Sequence, residues 1–277
     1  MKNLIILFLI FSYSTLFATE IENSCGKGNT FLIFEESSGK VLLQQEAEKI
    51  IYPASLTKVM TAYLVFEAIN NKKLNWQKKI KISKNAQLAS RVNKVNTLNL
   101  TTKNKMTVLQ ATQAMLVRSY NEAAVALAEA VAGNQQNFAK LMNQKAQKLG
   151  MNNTNFVNAS GLHDDNQYST AYDLAKLAIA VKKNFPQFYH FFSLKQFSFR
   201  GKKYFSHSDF LLSYDGAEGM KTGYTTASGF NLIATAKRDN HRLFGVLIGC
   251  DSNKKRTELM SMLFDIGFYD VNNFAFN

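Results

Sequence analysis

The pattern of hydrophobic and polar positions divides the chain into strand-like ends and a helical middle. Two short apolar runs, residues 31–34 and 41–43, flank the turn-forming Ser37-Ser38-Gly39 and predict a β-hairpin. From position 55 onward, apolar residues recur with a helical period. Further helices are predicted at residues 108–117, 122–131, 137–149 and 171–181. Three more strands, at 219–223, 230–235 and 243–250, precede a last helix at 254–266.

This order of elements predicts the fold class. Strands at both ends of a chain, with helices inserted between them, indicate one α/β (α+β) unit whose two ends share a sheet. We expect the inserted helices to form a second lobe over about residues 70–205. A cleft between two lobes is a common place for a functional site.

The N-terminus has the features of a signal peptide. Lys2 provides a positive start, residues 4–11 are nearly all apolar, and Ala18 follows a small polar cluster. The apolar stretch is shorter than the roughly 20 residues that a membrane-spanning helix needs. We therefore predict a signal peptide at 1–18, a single domain at 19–277, and export to the periplasm or cell envelope. An uncleaved N-terminal anchor is the alternative.

Charge and cysteine content narrow the possible partners. The formal net charge is +13, but the lysines are spread widely and no recognised nucleic-acid motif appears. We predict no nucleic-acid partner and a solvated basic surface, with attraction to an anionic envelope as the alternative. No cysteine–histidine cluster has zinc spacing, so we expect no metal. Cys25 and Cys250 can pair in an oxidising compartment, or Cys250 can be a buried thiol.

The segment Ser55-Leu56-Thr57-Lys58 opens a predicted helix. Residues at positions i and i+3 lie on one helical face, so Lys58 can reach the Ser55 hydroxyl. The free N–H groups and partial positive charge of a helix N-terminus would stabilise an oxyanion and disfavour protonated Lys58. A neutral lysine can act as a general base for a serine nucleophile. The simpler alternative is that Ser55 only caps the helix.

Two further short motifs follow in the chain. Ser119-Tyr120-Asn121 stands at the junction of two predicted helices, and Lys221-Thr222-Gly223 lies on a predicted strand. Each motif is weak by itself, because an ordinary N-cap or strand end would explain it. The ordered trio Ser-x-x-Lys, Ser-x-Asn and Lys-Thr-Gly is much harder to obtain by chance.

With these residues, the chain resembles the low-molecular-mass penicillin-binding proteins that are serine D-Ala-D-Ala carboxypeptidases. The likeness extends over roughly residues 31–268 and includes the segments 52–58, 158–162, 219–225 and 227–232. The resemblance implies a β-lactamase/transpeptidase-like fold, a peptidoglycan pentapeptide as substrate, acylation by β-lactams, and no cofactor. The first strand of such a sheet would lie beside the last, so we also predict that Cys25 and Cys250 pair.

The resemblance also implies roles for individual residues. Ser55 would be the acylated nucleophile, Lys58 its general base, and Ser119 the proton relay to the leaving amine. Asn121 would hold the substrate amide and keep Lys58 in place.

A second set of residues would bind the substrate. Lys221 would supply positive charge near the substrate carboxylate, which Thr222 and Arg256 would receive. Gly223 would allow close approach of a backbone. The backbone N–H groups of Ser55 and Tyr224 would form the oxyanion hole.

The sequence departs from the family pattern in two places. Tyr120 stands where small residues or Asp are common, and we expect that its bulk alters access to the cleft. We expect no C-terminal β domain or membrane anchor, which leaves only peripheral membrane contact.

Other functions use similar residues. A class A β-lactamase needs a glutamate for deacylation, placed about 30–40 residues after Ser-x-Asn. No glutamate lies between Glu129 and Glu218, which argues against efficient antibiotic hydrolysis by that route. A D,D-endopeptidase would use the same motifs, and a non-hydrolytic penicillin-binding sensor would keep only the acylation step.

Overall fold

A computed structural model describes residues 25–26, 28–91 and 97–273. The predicted signal peptide at 1–18 lies outside this range. In these three segments, no helix combines the length and the apolar character needed to cross a membrane.

Strands from both ends of the chain form one five-stranded antiparallel sheet. Its members are β1 (Thr30–Glu35), β2 (Val41–Gln45), β7 (Ala217–Thr225), β8 (Gly229–Arg238) and β9 (His241–Cys250). The order across the sheet is β2-β1-β9-β8-β7, so the first strand lies beside the last and β7 forms one edge. The predicted sharing of one sheet by the two chain ends is confirmed.

Helices and two small hairpins occupy most of the remaining chain. The strands β3 (Lys79–Lys81) and β4 (Lys105–Thr107) form one hairpin, and β5 (Gln196–Phe199) and β6 (Lys202–Phe205) form the other. The helices are α1 (Lys58–Asn70), α2 (Lys84–Arg91), α3 (Val108–Arg118), α4 (Asn121–Ala132), α5 (Gln135–Lys148), α6 (Ala171–Asn184), α7 (Asp209–Ser213) and α8 (Asn253–Asn273). The sequence pattern predicted all of these helices except the polar α2 and the short α7.

Apolar side chains on both faces of the sheet are buried. On one face, Leu232 and Leu247 join Leu263 and Phe264 of α8 in one cluster. On the other face, a larger cluster includes most of α1, α3, α4 and α6. Helix α1 is apolar almost all round, which is the pattern of a helix enclosed by the core. Its first residue, Lys58, is therefore buried with the rest.

A disulfide joins Cys25 to Cys250, across 225 positions of sequence. The backbone of Asp251 also donates a hydrogen bond to the Cys25 carbonyl, at 3.0 Å. The predicted pairing is confirmed. Both cysteines are fully buried, so the bond fixes the segment before β1 to the end of β9.

Candidate active site

Ser55 lies on a sharp turn against the edge strand β7. The residues Ala54–Thr57 form a 3-10 helix, and α1 begins only at Lys58, three residues later than the predicted helix start. Ala54 has a φ of +47°, a left-handed conformation that is unusual for a residue with a side chain. The strain lies in the backbone of Ala54, and the turn that it forms fixes the position of Ser55.

Two glycines allow this turn to pack closely. A Cβ at Gly161 would overlap the carbonyl of Ala54, and one at Gly223 would lie 3.2 Å from the backbone nitrogen of Ser55. Any side chain at either place would push the turn away from its neighbours. Gly223 thus brings the backbone of β7 against the Ser55 nitrogen.

The Lys58 amine stands at the centre of the site. Its Nζ donates hydrogen bonds to Ser55 Oγ and to Asn121 Oδ1, both at 2.8 Å, and another to the Ser160 carbonyl. Burial and the nearby charge of Lys221 hold the pKa of Lys58 well below its ordinary value of 10.5, against an opposing effect of Glu122. Once neutral, the amine can accept the Ser55 hydroxyl proton across the same short distance.

The junction between α3 and α4 presents Ser119 and Asn121 to the cleft. Ser119 has a φ of +62°, which turns the chain sharply after α3. Tyr120 is the N-cap of α4 but makes no side-chain capping bond, and the Asn121 amide faces Lys58 instead. Ser119 Oγ is buried, and no group in the described ranges hydrogen-bonds to it.

Tyr120 does not obstruct the cleft, so the expectation that its bulk alters access is wrong. Its side chain is buried and packs edge-on against Phe197 and Tyr204 of the β5–β6 hairpin. The tight turn at Ser119 sends the aromatic ring into the core, and the small polar side chains on either side of it face the cleft.

Strand β7 forms the opposite wall. Lys221 is buried, and its Nζ donates to the Thr222 carbonyl at 2.8 Å. Burial and the charge of Arg256 lower its pKa from 10.5 to about 7. The exposed ring of Tyr224 packs on Phe230, with 4.4 Å between ring centroids, at the rim of the cleft.

Arg256 closes the end of the cleft from the first turn of α8. Its guanidinium donates to the Asn253 side chain and, at 3.4 Å, to the Asn231 carbonyl. Burial lowers its pKa to about 10, so it stays charged at neutral pH. Lys221 and Arg256 therefore create a positive region that suits an anionic group.

The cleft has a volume of about 770 Å³. Ser55, Ser119, Asn121, Thr222, Gly223, Tyr224 and Arg256 all line it, which brings most of the residues singled out in the sequence to one site. Lys58 and Lys221 lie buried behind this surface.

The sequence motifs missed two groups at the site. The Ser160 carbonyl accepts from Lys58, and His207 Nε2 lies 2.9 Å from Thr222 Oγ1. Ser160 belongs to a family-like segment, but every residue has a backbone carbonyl, so the sequence cannot show which one accepts a hydrogen bond. His207 is a lone histidine outside the three motifs.

Comparison with known proteins identifies the family. The family model described as D-alanyl-D-alanine carboxypeptidase (peptidase S11) matches residues 19–252. The chain is 32% identical over 266 residues to the D-alanyl-D-alanine carboxypeptidase DacC of Escherichia coli, covering 94% of this chain and 66% of that protein. The chain thus spans slightly less than two thirds of the length of this curated relative.

Solved structures are similar as well. Penicillin-binding protein 5 from Haemophilus influenzae superposes with a TM-score of 0.82 at 33% identity, covering 87% of this chain and 70% of that one. Penicillin-binding protein D2 from Listeria monocytogenes, in its ampicillin-bound form, gives 0.78 at 32% identity, covering 88% and 97%. The chain belongs to the D-alanyl-D-alanine carboxypeptidase family, and the expected penicillin-binding-protein fold is confirmed.

Proposed function

We propose that this protein is an exported serine D-Ala-D-Ala carboxypeptidase that removes the terminal D-alanine from peptidoglycan pentapeptides. The observation that carries the proposal is the position of Lys58 Nζ, buried and within 2.8 Å of both Ser55 Oγ and Asn121 Oδ1. A buried amine with a lowered pKa is what a serine nucleophile needs as its base at neutral pH.

The reaction begins with acylation. Ser55 Oγ attacks the carbonyl carbon of the penultimate D-alanine while Lys58 Nζ takes the hydroxyl proton. The backbone N–H groups of Ser55 and Tyr224 stabilise the oxyanion. The proton then passes through Ser119 to the leaving amine, the amide bond breaks, and the terminal D-alanine departs. Asn121 keeps Lys58 and the substrate amide in place.

Deacylation follows the same path with water. A water molecule gives a proton to Lys58 and attacks the ester carbonyl, and Ser55 regains its proton as the shortened peptide leaves. The substrate carboxylate lies between Thr222 and Arg256, with the charge of Lys221 nearby, and Gly223 keeps β7 against the reacting centre. β-Lactams acylate Ser55 because they present a similar amide and carboxylate. No metal or cofactor takes part.

The place of action follows from the substrate. We propose that residues 1–18 direct export to the periplasm or cell envelope, and that 19–277 form the peptidase domain with a helical insert at about 70–205. Its basic surface suits peripheral contact with an anionic envelope.

The test is to incubate one sample of the purified protein with a fluorescent penicillin and a separate, untreated sample with a pentapeptide that ends in D-Ala-D-Ala. We expect label on Ser55, located by peptide mass spectrometry, and release of D-alanine. Ser55→Ala should lose both. Ser37→Ala is the matched control, because Ser37 and Lys40 repeat the same spacing on an exposed turn outside the cleft. A folded wild-type protein that takes no label would disprove the proposal.

A further inference from the structure

His207 contacts the proposed carboxylate site from a segment that carries none of the three motifs. It lies between β6 and α7, and its imidazole lines the cleft beside Thr222. The distance from His207 Nε2 to Thr222 Oγ1 is 2.9 Å, which is a hydrogen bond. His207 is therefore placed to determine where the single hydroxyl proton of Thr222 points.

The direction of that hydrogen bond decides what Thr222 can offer an anion. A carboxylate only accepts hydrogen bonds, so it needs the Thr222 proton. If Nε2 accepted that proton, Thr222 would present only lone pairs to the substrate carboxylate, and the two would repel. If Nε2 instead donates to Oγ1, the Thr222 proton is free to point into the cleft.

The surroundings of the ring favour donation from Nε2. Burial and the positive charges of Lys221, Arg118, Arg256 and Lys58 lower the pKa of His207 to about 3, so the ring is neutral and carries one proton. His207 Nδ1 is buried, and no group of the described segments hydrogen-bonds to it. A buried N–H without a partner is rarer in proteins than an acceptor without one, so the proton belongs on Nε2.

We propose that His207 is a positioning residue that donates from Nε2 to Thr222 Oγ1 and so directs the Thr222 hydroxyl proton toward the terminal carboxylate of the substrate. The inference rests on the proposed carboxypeptidase function. It adds to that function a residue that determines selectivity for a free carboxylate, acting through Thr222 without contacting the reacting atoms.

The kinetic test compares two peptides that differ only at the C-terminus, an N-acylated D-Ala-D-Ala acid and its C-terminal amide. His207→Leu should lower kcat/KM for the acid by about tenfold, the worth of one charge-assisted hydrogen bond. The amide reaction should fall much less, because a neutral amide oxygen accepts a weaker hydrogen bond from Thr222 than a charged carboxylate does. His207→Gln should restore the acid reaction, since its amide nitrogen can stand where Nε2 stands.

Further variants separate this role from a general structural effect. Thr222→Val should lose the same selectivity, and adding His207→Leu to it should cause no further loss, because both act through one hydroxyl. His190→Gln is the matched control and should behave as wild type, because His190 is an exposed residue of the 3-10 segment Pro186–Ser193. Equal losses for acid and amide, or additive losses in the double variant, would overturn the inference.

A spectroscopic measurement determines directly which nitrogen of the His207 imidazole carries the proton. Long-range ¹⁵N NMR of the wild-type protein should show His207 protonated at Nε2, with its signals assigned by their disappearance in His207→Gln. Protonation at Nδ1 would overturn the inference alone. A wild-type protein that fails to label with fluorescent penicillin would instead overturn the proposed function and, with it, this inference.

Discussion

Buried and partly buried charges have opposite environments at two places in this molecule. In the cleft, Lys58, Lys221 and Arg256 are each at most 3% exposed, and none has a carboxylate within ion-pair distance in the described part of the chain. Away from the cleft, Arg242 on β9 pairs with both Glu36 and Glu218. The pKa of Arg242 is raised, chiefly by its hydrogen bonds to Glu218.

Glu35, like Arg242, is a charged residue whose side chain has direct partners. Its carboxylate is fully buried, and burial alone would raise its pKa. Hydrogen bonds from Ser38 and Ser37 outweigh burial and lower the pKa to about 2. Paired charges of this kind keep their ordinary ionised form and stabilise the fold. Burial instead lowers the pKa values of the unpaired cations of the cleft, which costs stability and gives Lys58 the neutral form that a base needs, while Arg256 stays charged.

The largest expected effect comes from removing the central amine of the cleft. Lys58→Met should slow acylation of Ser55 by fluorescent penicillin by about a thousandfold, because no base remains to take the hydroxyl proton. The thermal midpoint should change little, since the lost hydrogen bonds are offset by the removal of a costly buried amine. Labelling rates and thermal unfolding of the same preparation measure both.

Lys49→Met is the matched control for this variant, because Lys49 is exposed and its one ion pair among the described residues is with Glu46. It should label as wild type does. A Lys58→Met protein that labels at the wild-type rate would show that another group serves as the base.

The opposite result, a loss of stability without a loss of activity, is expected when the ion pairs of Arg242 with Glu36 and Glu218 are removed. Arg242→Met should lower the free energy of unfolding by about 2 kcal/mol, because it leaves two carboxylates without their shared partner. The acylation rate of Ser55 should be unchanged, since Arg242 lies outside the cleft. Urea unfolding measures the loss of stability, and the rate of penicillin labelling measures the acylation of Ser55. Slower labelling of a folded Arg242→Met protein would contradict the separation of the two regions.

The smallest expected effect is the change in stability for one unit of pH. Lys221 has a pKa of about 7 in the folded protein and an ordinary value of 10.5, so the unfolded chain binds more protons between these values. Stability should therefore rise with pH above about 7, by at most about 1.4 kcal/mol per pH unit. Conversely, this contribution is lost as the pH falls toward 7.

Unfolding free energies measured up to about pH 9, below the ordinary range of tyrosine, check this prediction. Lys221→Met should give a shallower slope. An unchanged slope in that variant would mean that Lys221 keeps its proton throughout the range.

The sequence predicted the parts of the site that depend on local spacing. Lys58 follows Ser55 by three positions, and a helical turn brings such a pair together. The long apolar runs of β8 and β9 likewise identify central strands, because both faces are covered. The roles of the individual site residues stay predictions.

The parts that the sequence missed depend on contacts between distant segments. The 3-10 turn at Ser55 depends on the left-handed Ala54 and on close packing by Gly161 and Gly223. The contact of His207 with Thr222 joins two segments that only the folded chain brings together. The strands of three residues, such as Lys79–Lys81, are too short and too polar to form a pattern.

The Cys25–Cys250 disulfide makes the chain between these residues a closed covalent ring. Ser55, Lys58, Ser119 and Lys221 all lie within the ring, and Arg256 follows six residues after it closes. A single proteolytic cut anywhere inside the ring therefore leaves the two pieces tethered. A nicked molecule would migrate as one species on a gel until a reductant separates the fragments, and its cleft residues could not diffuse apart.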